Sequence, residues 1–145
     1  MKIKITNGEL VNTMIPSLTE LIMMKTPLKV NYAANKTLNI CNSERVPIDK
    51  TRKDIFEGLC NMDKDGKPKI EKDEYCFADP AIKQEAINKV MELFAIETEI
   101  EMHTVPIELI DQIEGKTGGT WINYLIGKFF VEPEIKQPLE IVEKP

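Results

Sequence analysis

The sequence predicts an α+β protein, a long helical hairpin packed beside a small sheet, and three observations carry that expectation. Residues 96–104 alternate without a break: Ile96, Thr98, Ile100, Met102 and Thr104 on one side, Glu97, Glu99, Glu101 and His103 on the other. That two-residue period is a strand with one buried face. Residues 1–6 alternate as well, Ile3 and Ile5 against Lys2 and Lys4, so residues 2–6 are expected to pair with 96–104 through complementary charges. Between these segments, apolar residues recur at three- and four-residue spacing, the mark of helices. An exposed cross-strand charge pair contributes only about a few tenths of a kcal/mol. The charges therefore help choose the register, and the buried isoleucines supply the energy.

After the first strand, Thr6-Asn7-Gly8-Glu9 reads as a capping box, with Thr6 accepting from the Glu9 amide. The helix behind it runs to about Met24 with Leu10, Met14, Leu18, Leu21 and Ile22 as its stripe, bent at Pro16. Thr26-Pro27 starts a second helix carrying Val30, Ala34, Leu38 and Cys41. Val46-Pro47 is expected to break or kink it before a further helical stretch to Cys60. Asp65-Gly66 and Lys67-Pro68 are turn dipeptides, and a short hairpin is expected near residues 69–77. Asp79-Pro80 caps a helix to about Phe94 with Ile82, Ala86, Val90 and Leu93 inward. Pro106–Ile113 reads as a short helix and Gly115–Thr120 as a loop. Trp121–Val131 reads as an apolar C-terminal helix, and residues 132–145 as a tail or an edge strand at Leu139–Val142.

With 145 residues and 16.6 kDa, residues 1–145 are expected to form one domain. Apolar residues at 42% and charged residues at 30% are the balance of an ordinary globular protein. No apolar run approaches the roughly 18–20 residues that cross a bilayer, and the N-terminus lacks the layout of a signal peptide. A net charge of −5 argues against direct nucleic-acid binding. That charge is unevenly spread: residues 1–60 hold nine Lys/Arg and six Asp/Glu, residues 61–145 ten Lys and eighteen Asp/Glu. Cys41, Cys60 and Cys76 form no Cys-x-x-Cys pair, so neither a disulfide framework nor a zinc site is expected.

The motifs that touch chemistry are weak. Asn61-Met62-Asp63-Lys64-Asp65-Gly66 opens like a calcium loop, but the position requiring a bidentate Glu is Lys72 and Pro68 also fits badly. Gly115-Lys116-Thr117 copies the end of a phosphate-binding loop whose leading glycine is replaced by Ile110. Glu97, Glu99 and Glu101 share a strand face about 6.6–7 Å apart, too wide to chelate one ion unaided. Neither Ser17 nor Ser43 sits in a nucleophile elbow, and His103 is the only histidine. No catalytic residues, no metal site and no cofactor are expected, and the protein is read as not an enzyme.

Binding is the remaining class. Trp121, Tyr124, Leu125, Phe129 and Phe130 make the last helix apolar around most of its girth. Such a helix is either central core or a partner-binding surface, and a homodimer would reconcile the two. The carboxylates of Glu97, Glu99 and Glu101 would suit a basic target. Arg45 and Arg52, the only arginines, are the candidates for an alternative role in holding the phosphates of a small ligand.

The order of elements resembles a family of small proteins from phages and prophages of low-GC Gram-positive bacteria. The resemblance rests on Lys2-Ile3-Lys4-Ile5-Thr6-Asn7-Gly8-Glu9-Leu10-Val11 and on Pro27-Leu28-Lys29-Val30-Asn31-Tyr32-Ala33-Ala34-Asn35-Lys36. It continues in Asp63-Lys64-Asp65-Gly66-Lys67-Pro68, Tyr75-Cys76-Phe77 and Glu97-Thr98-Glu99-Ile100-Glu101-Met102. It covers roughly residues 1–110, its motifs are patterns rather than signatures, and Pro47 departs from the continuous helix of the family. It implies a phage product in the host cytoplasm and transfers no site residue. The function expected is non-enzymatic binding of a host or phage protein, inhibiting or hijacking a host factor such as an antiviral defence protein. The alternatives are a virion assembly chaperone or minor virion component, and a sponge that sequesters a nucleotide signal.

Overall fold

A computed structural model describes residues 1–115 and 121–133. The chain runs through β1 (Lys2–Thr6), α1 (Asn7–Glu9), a π-helical turn (Leu10–Met14), α2 (Ile15–Ile22) and α3 (Leu28–Leu59). There follow β2 (Ile70–Glu71), β3 (Glu74–Tyr75), α4 (Pro80–Ala95) and β4 (Glu97–Glu101). The last elements are β5 (Val105–Pro106), a 3-10 turn (Ile107–Gln112), α5 (Trp121–Leu125) and β6 (Phe130–Val131). This is the expected α+β architecture, a long helix beside small sheets.

β1 and β4 pair antiparallel with Lys2 opposite Glu101, Ile3 opposite Ile100, Lys4 opposite Glu99 and Ile5 opposite Thr98. The predicted strand stops at Glu101 rather than Thr104, because the chain turns to give Val105–Pro106 a separate parallel pairing with Phe130–Val131. At the end of β1, Thr6 Oγ1 accepts from the Glu9 amide at 3.0 Å, half of the capping box. Asn7 then ties three elements together while only 4% exposed. Its amide donates to Ile96 O at 2.8 Å, its Nδ2 to Leu93 O at 3.0 Å, and its Oδ1 accepts from Thr98 Oγ1 at 2.6 Å.

Pro16 acts on the turn ahead of it. A proline offers no N–H and its ring crowds the carbonyl four residues back. Here Ile15 N donates to Leu10 O, five residues back, and the wider π turn accommodates the ring. α2 then folds back along α3, so the helical hairpin forms. Leu10, Met14, Leu18 and Leu21 face Val30, Ala33, Ala34 and Cys41 across it, in one buried cluster with Ile5, Ile100 and Met102.

Three expectations need correction. Of the break or kink expected at Val46-Pro47, the break does not occur: α3 is continuous for 32 residues, about 48 Å. Pro47 lies exposed while Ile48 is buried, so the ring meets solvent rather than core. Arg45–Asp49, Lys50–Asp54 and Lys53–Glu57 ion pairs at i,i+4 carry the helix past it. Second, the apolar C-terminal helix is only Trp121–Leu125. Gly127, at φ +88, ends it in the left-handed region. The chain then folds back, with Phe129 N on Leu125 O at 2.8 Å and Val105 N on Phe129 O at 2.9 Å. Third, Trp121 is 1% exposed and Leu125, Phe129 and Phe130 are fully buried. The fold-back lets one core cover apolar side chains that a straight helix would have pointed in several directions. These four are core, not a partner surface, and only Tyr124 keeps partial exposure. The expected edge strand at Leu139–Val142 and most of the Gly115–Thr120 loop lie outside the described residues.

The hairpin near 69–77 forms as β2 and β3, joined by Lys72 and Asp73 at φ 52 and 63. The calcium-like stretch is a tight turn in which Asp63 Oδ1 accepts from the Asp65 and Lys67 amides at 2.8 and 3.0 Å, as short polar side chains do.

Two substitutions test this account. Pro47→Ala restores one helical hydrogen bond at an exposed site and is expected to stabilise by about 1–3 kcal/mol, read as a higher thermal midpoint with unchanged circular dichroism. Trp121→Ala is expected to cost about 3–5 kcal/mol. A native midpoint for that variant would return Trp121 to the surface.

Candidate functional site

Of the sequence-predicted site residues, the acidic trio stands where expected, but not on an acidic face. Glu97, Glu99 and Glu101 are exposed on β4. Lys2 Nζ lies 3.6 Å from Glu99, and the N-terminal ammonium lies 2.8 Å from Glu101. The hydrogen bond from that ammonium holds the Glu101 carboxyl below its usual range. The pairing of the basic N-terminal segment with the acidic strand makes this face mixed, which weakens its complement to a basic target.

The two arginines are brought to one place. Arg45, Asp49, Arg52 and Phe56 follow one another at spacings of four, three and four, so they share a face of α3. Beyond Ile48 that face leaves the main core. The β2–β3 hairpin and the start of α4 close over it, leaving a cleft of about 610 Å³. Phe56, Tyr75 and Phe77 form its apolar floor. Phe56 and Tyr75 stack at 5.5 Å with planes 9° apart, and Phe77 tilts against Phe56 at 6.3 Å. The Arg52 guanidinium lies 6.0 Å from the Phe56 ring centroid, within cation–π range.

Charge lines the walls. Arg45, Arg52, Lys53 and Lys83 face the cleft together with Asp49, Asp73 and Glu74. Arg45 Nε donates to Asp49 at 3.1 Å and Lys53 lies 3.9 Å from Glu57. Among the described residues, Arg52 and Lys83 are in no ion pair with a carboxylate. Tyr75 Oη donates to Glu57 Oε2 at 3.3 Å. Desolvation first, then the Glu57 charge and hydrogen bond, push the Tyr75 phenol above its ordinary value, so it stays protonated as a donor.

Phe56, Tyr75, Phe77 and Lys83 were missed in the sequence. The seven-residue spacing of Arg45 and Arg52, two helical turns, was the signal that could have placed the arginines side by side. No local pattern shows that Tyr75 returns to stack on Phe56.

The Cys41 thiol is not poised for chemistry. Burial, then the nearby Glu44 charge, push the Cys41 thiol from 9.0 up to about 12, which disfavours the nucleophilic thiolate. Cys60 Sγ donates to Glu57 O at 3.7 Å. Tyr124 Oη donates to Glu9 Oε2 at 2.5 Å, and burial followed by that bond raises its phenol far above its usual range. No group of three His, Cys, Asp or Glu among the described residues is placed to hold a metal ion, and no described helix is long and apolar enough to cross a membrane. No family model, curated protein or solved structure matches the chain.

Groups whose folded pKa is raised contribute stability below their unfolded pKa and lose it as pH climbs towards the folded one. Cys41 and Tyr124 are both of this kind. The urea midpoint is therefore expected to hold near neutral pH and fall progressively from about pH 9 to 12. Cys41→Ala should flatten the early part of that fall. In the native protein at pH 8, a thiol reagent should label Cys76 before Cys41.

Proposed function

We propose that the protein is a non-enzymatic binding protein that captures an anionic partner in the cleft between α3, the β2–β3 hairpin and α4. One observation carries this reading: the chain's only two arginines converge on that cleft with Lys83, beside an aromatic floor, and among the described residues neither Arg52 nor Lys83 is in an ion pair with a carboxylate. The volume falls within the roughly 300–1,000 Å³ of ligand sites. The buried Trp121, Leu125, Phe129 and Phe130 direct the reading away from the C-terminal segment, and the mixed face of β4 directs it away from the acidic strand.

The resemblance to phage proteins supplies the setting, an infected bacterial cytoplasm. Capture there withholds the partner from a host process, such as an antiviral defence. Cys41, with its thiol raised to about 12, suits a structural role rather than covalent catalysis.

Hydrogen exchange tests this without knowledge of the partner. The protein is incubated with an extract of host cells, separated into macromolecules and small molecules. Slowed exchange confined to residues 45–56 and 73–87, and absent in Arg52→Glu, is the expected result. Protection centred on 97–101 or 121–130, or none with either fraction, overturns the assignment.

A further inference from the structure

We propose that the occupant of the cleft is a nucleotide: a planar base stacked on the aromatic floor and phosphate held by Arg45, Arg52 and Lys83. This rests on the reading of the cleft as the binding site and names the ligand class.

Three properties of the cleft point the same way. Its floor is aromatic, Tyr75 stacked with Phe56 and Phe77 tilted at 58° to Phe56, and every base offers a face to an aromatic ring. Its cations include both guanidiniums, whose planar forks match phosphate oxygens in pairs. Arg45 donates to Asp49 through Nε, which leaves its terminal nitrogens for a second acceptor. Arg52 lies over Phe56, which is stacked with Tyr75, so a phosphate on Arg52 sits next to a base stacked on Tyr75.

The carboxylates decide between ligand classes. Asp73 and Glu74 stand on the rim at the hairpin turn, and Asp49 on the opposite helix. An acidic peptide or a nucleic-acid backbone would bring repeated negative charge against all three. A nucleotide carries donors as well as anions: the amino group of the base and the sugar hydroxyls suit carboxylates, while the phosphate suits the arginines. The volume of about 610 Å³ is also that of a small-ligand site.

Calorimetry on the full chain reads this directly. The probes are AMP, ATP, GTP, cyclic di-AMP and cyclic GMP–AMP, with adenosine and inorganic tripolyphosphate as the separated halves. At least one nucleotide should bind saturably, and each half at least about 10-fold more weakly. Arg52→Gln and Lys83→Gln alter exposed side chains. Each should weaken binding by about 10-fold or more with an unchanged thermal midpoint. Lys25→Gln, whose partner is Glu114, should leave binding as it was. No saturable binding across the panel at millimolar concentration overturns the nucleotide assignment, as does binding that Arg52→Gln leaves intact. If the panel fails while the macromolecular fraction still protects residues 45–56 and 73–87, the cleft stands as the binding site and only the ligand class falls. If protection lies elsewhere, both fall.

Discussion

The meeting of β1 with β4 holds the chain in one fold, and Asn7 makes that meeting specific. The paired residues stand nearly a hundred positions apart, Lys2 opposite Glu101. Closing a loop of that length costs on the order of 4 kcal/mol in chain entropy. A two-stranded ribbon is marginal alone, so the closure is offset through packing. Ile5, Ile100 and Met102 leave water together, each worth about 1.5–3 kcal/mol. Asn7 bonds Leu93, Ile96 and Thr98 at the same corner. A one-residue slip would strand those polar groups and turn the isoleucines outward.

With the chain closed there, the molecule divides by task along α3. The first half of the helix is core, from Val30 to Cys41, and Ile48 is the last side chain of the helix in the main cluster. The second half carries charge and the cleft. The apolar contacts that fold the protein and the polar groups that would hold a ligand thus lie on different stretches of one helix. Neither Arg52 nor Lys83 belongs to the main cluster.

Much of this was legible in the sequence, for physical reasons. Strict alternation in residues 1–6 and 96–104 marked the two strands, although the second stops at Glu101, and the charges on the two faces pointed each to its partner. The Thr6 cap was readable because its chemistry is local. The errors came where tertiary structure overrides local signals. Pro47 looks like a breaker, yet facing solvent in a long helix it removes one hydrogen bond and leaves the helix continuous. The apolar run from Trp121 looks like a helix, and Gly127, the residue that ends it, is one of seven glycines. Composition could not show that Trp121 and Phe129 are packed on by the rest of the chain. The cleft was half legible: its arginines share a helix face, whereas Tyr75 and Lys83 arrive through turns whose geometry no spacing encodes.

The long closure also sets an order of events during synthesis. β1 leaves the ribosome first and its partner strand about 95 residues later. At about 5–20 residues per second, that is an interval on the order of 5–20 s. For that time an alternating strand with two isoleucines has an open edge, the kind that pairs with any neighbouring edge. Lys2 and Lys4 lie on its outer face, and lysine on an edge strand disfavours pairing with other edges. The same lysines stand opposite Glu101 and Glu99 once β4 has emerged and paired.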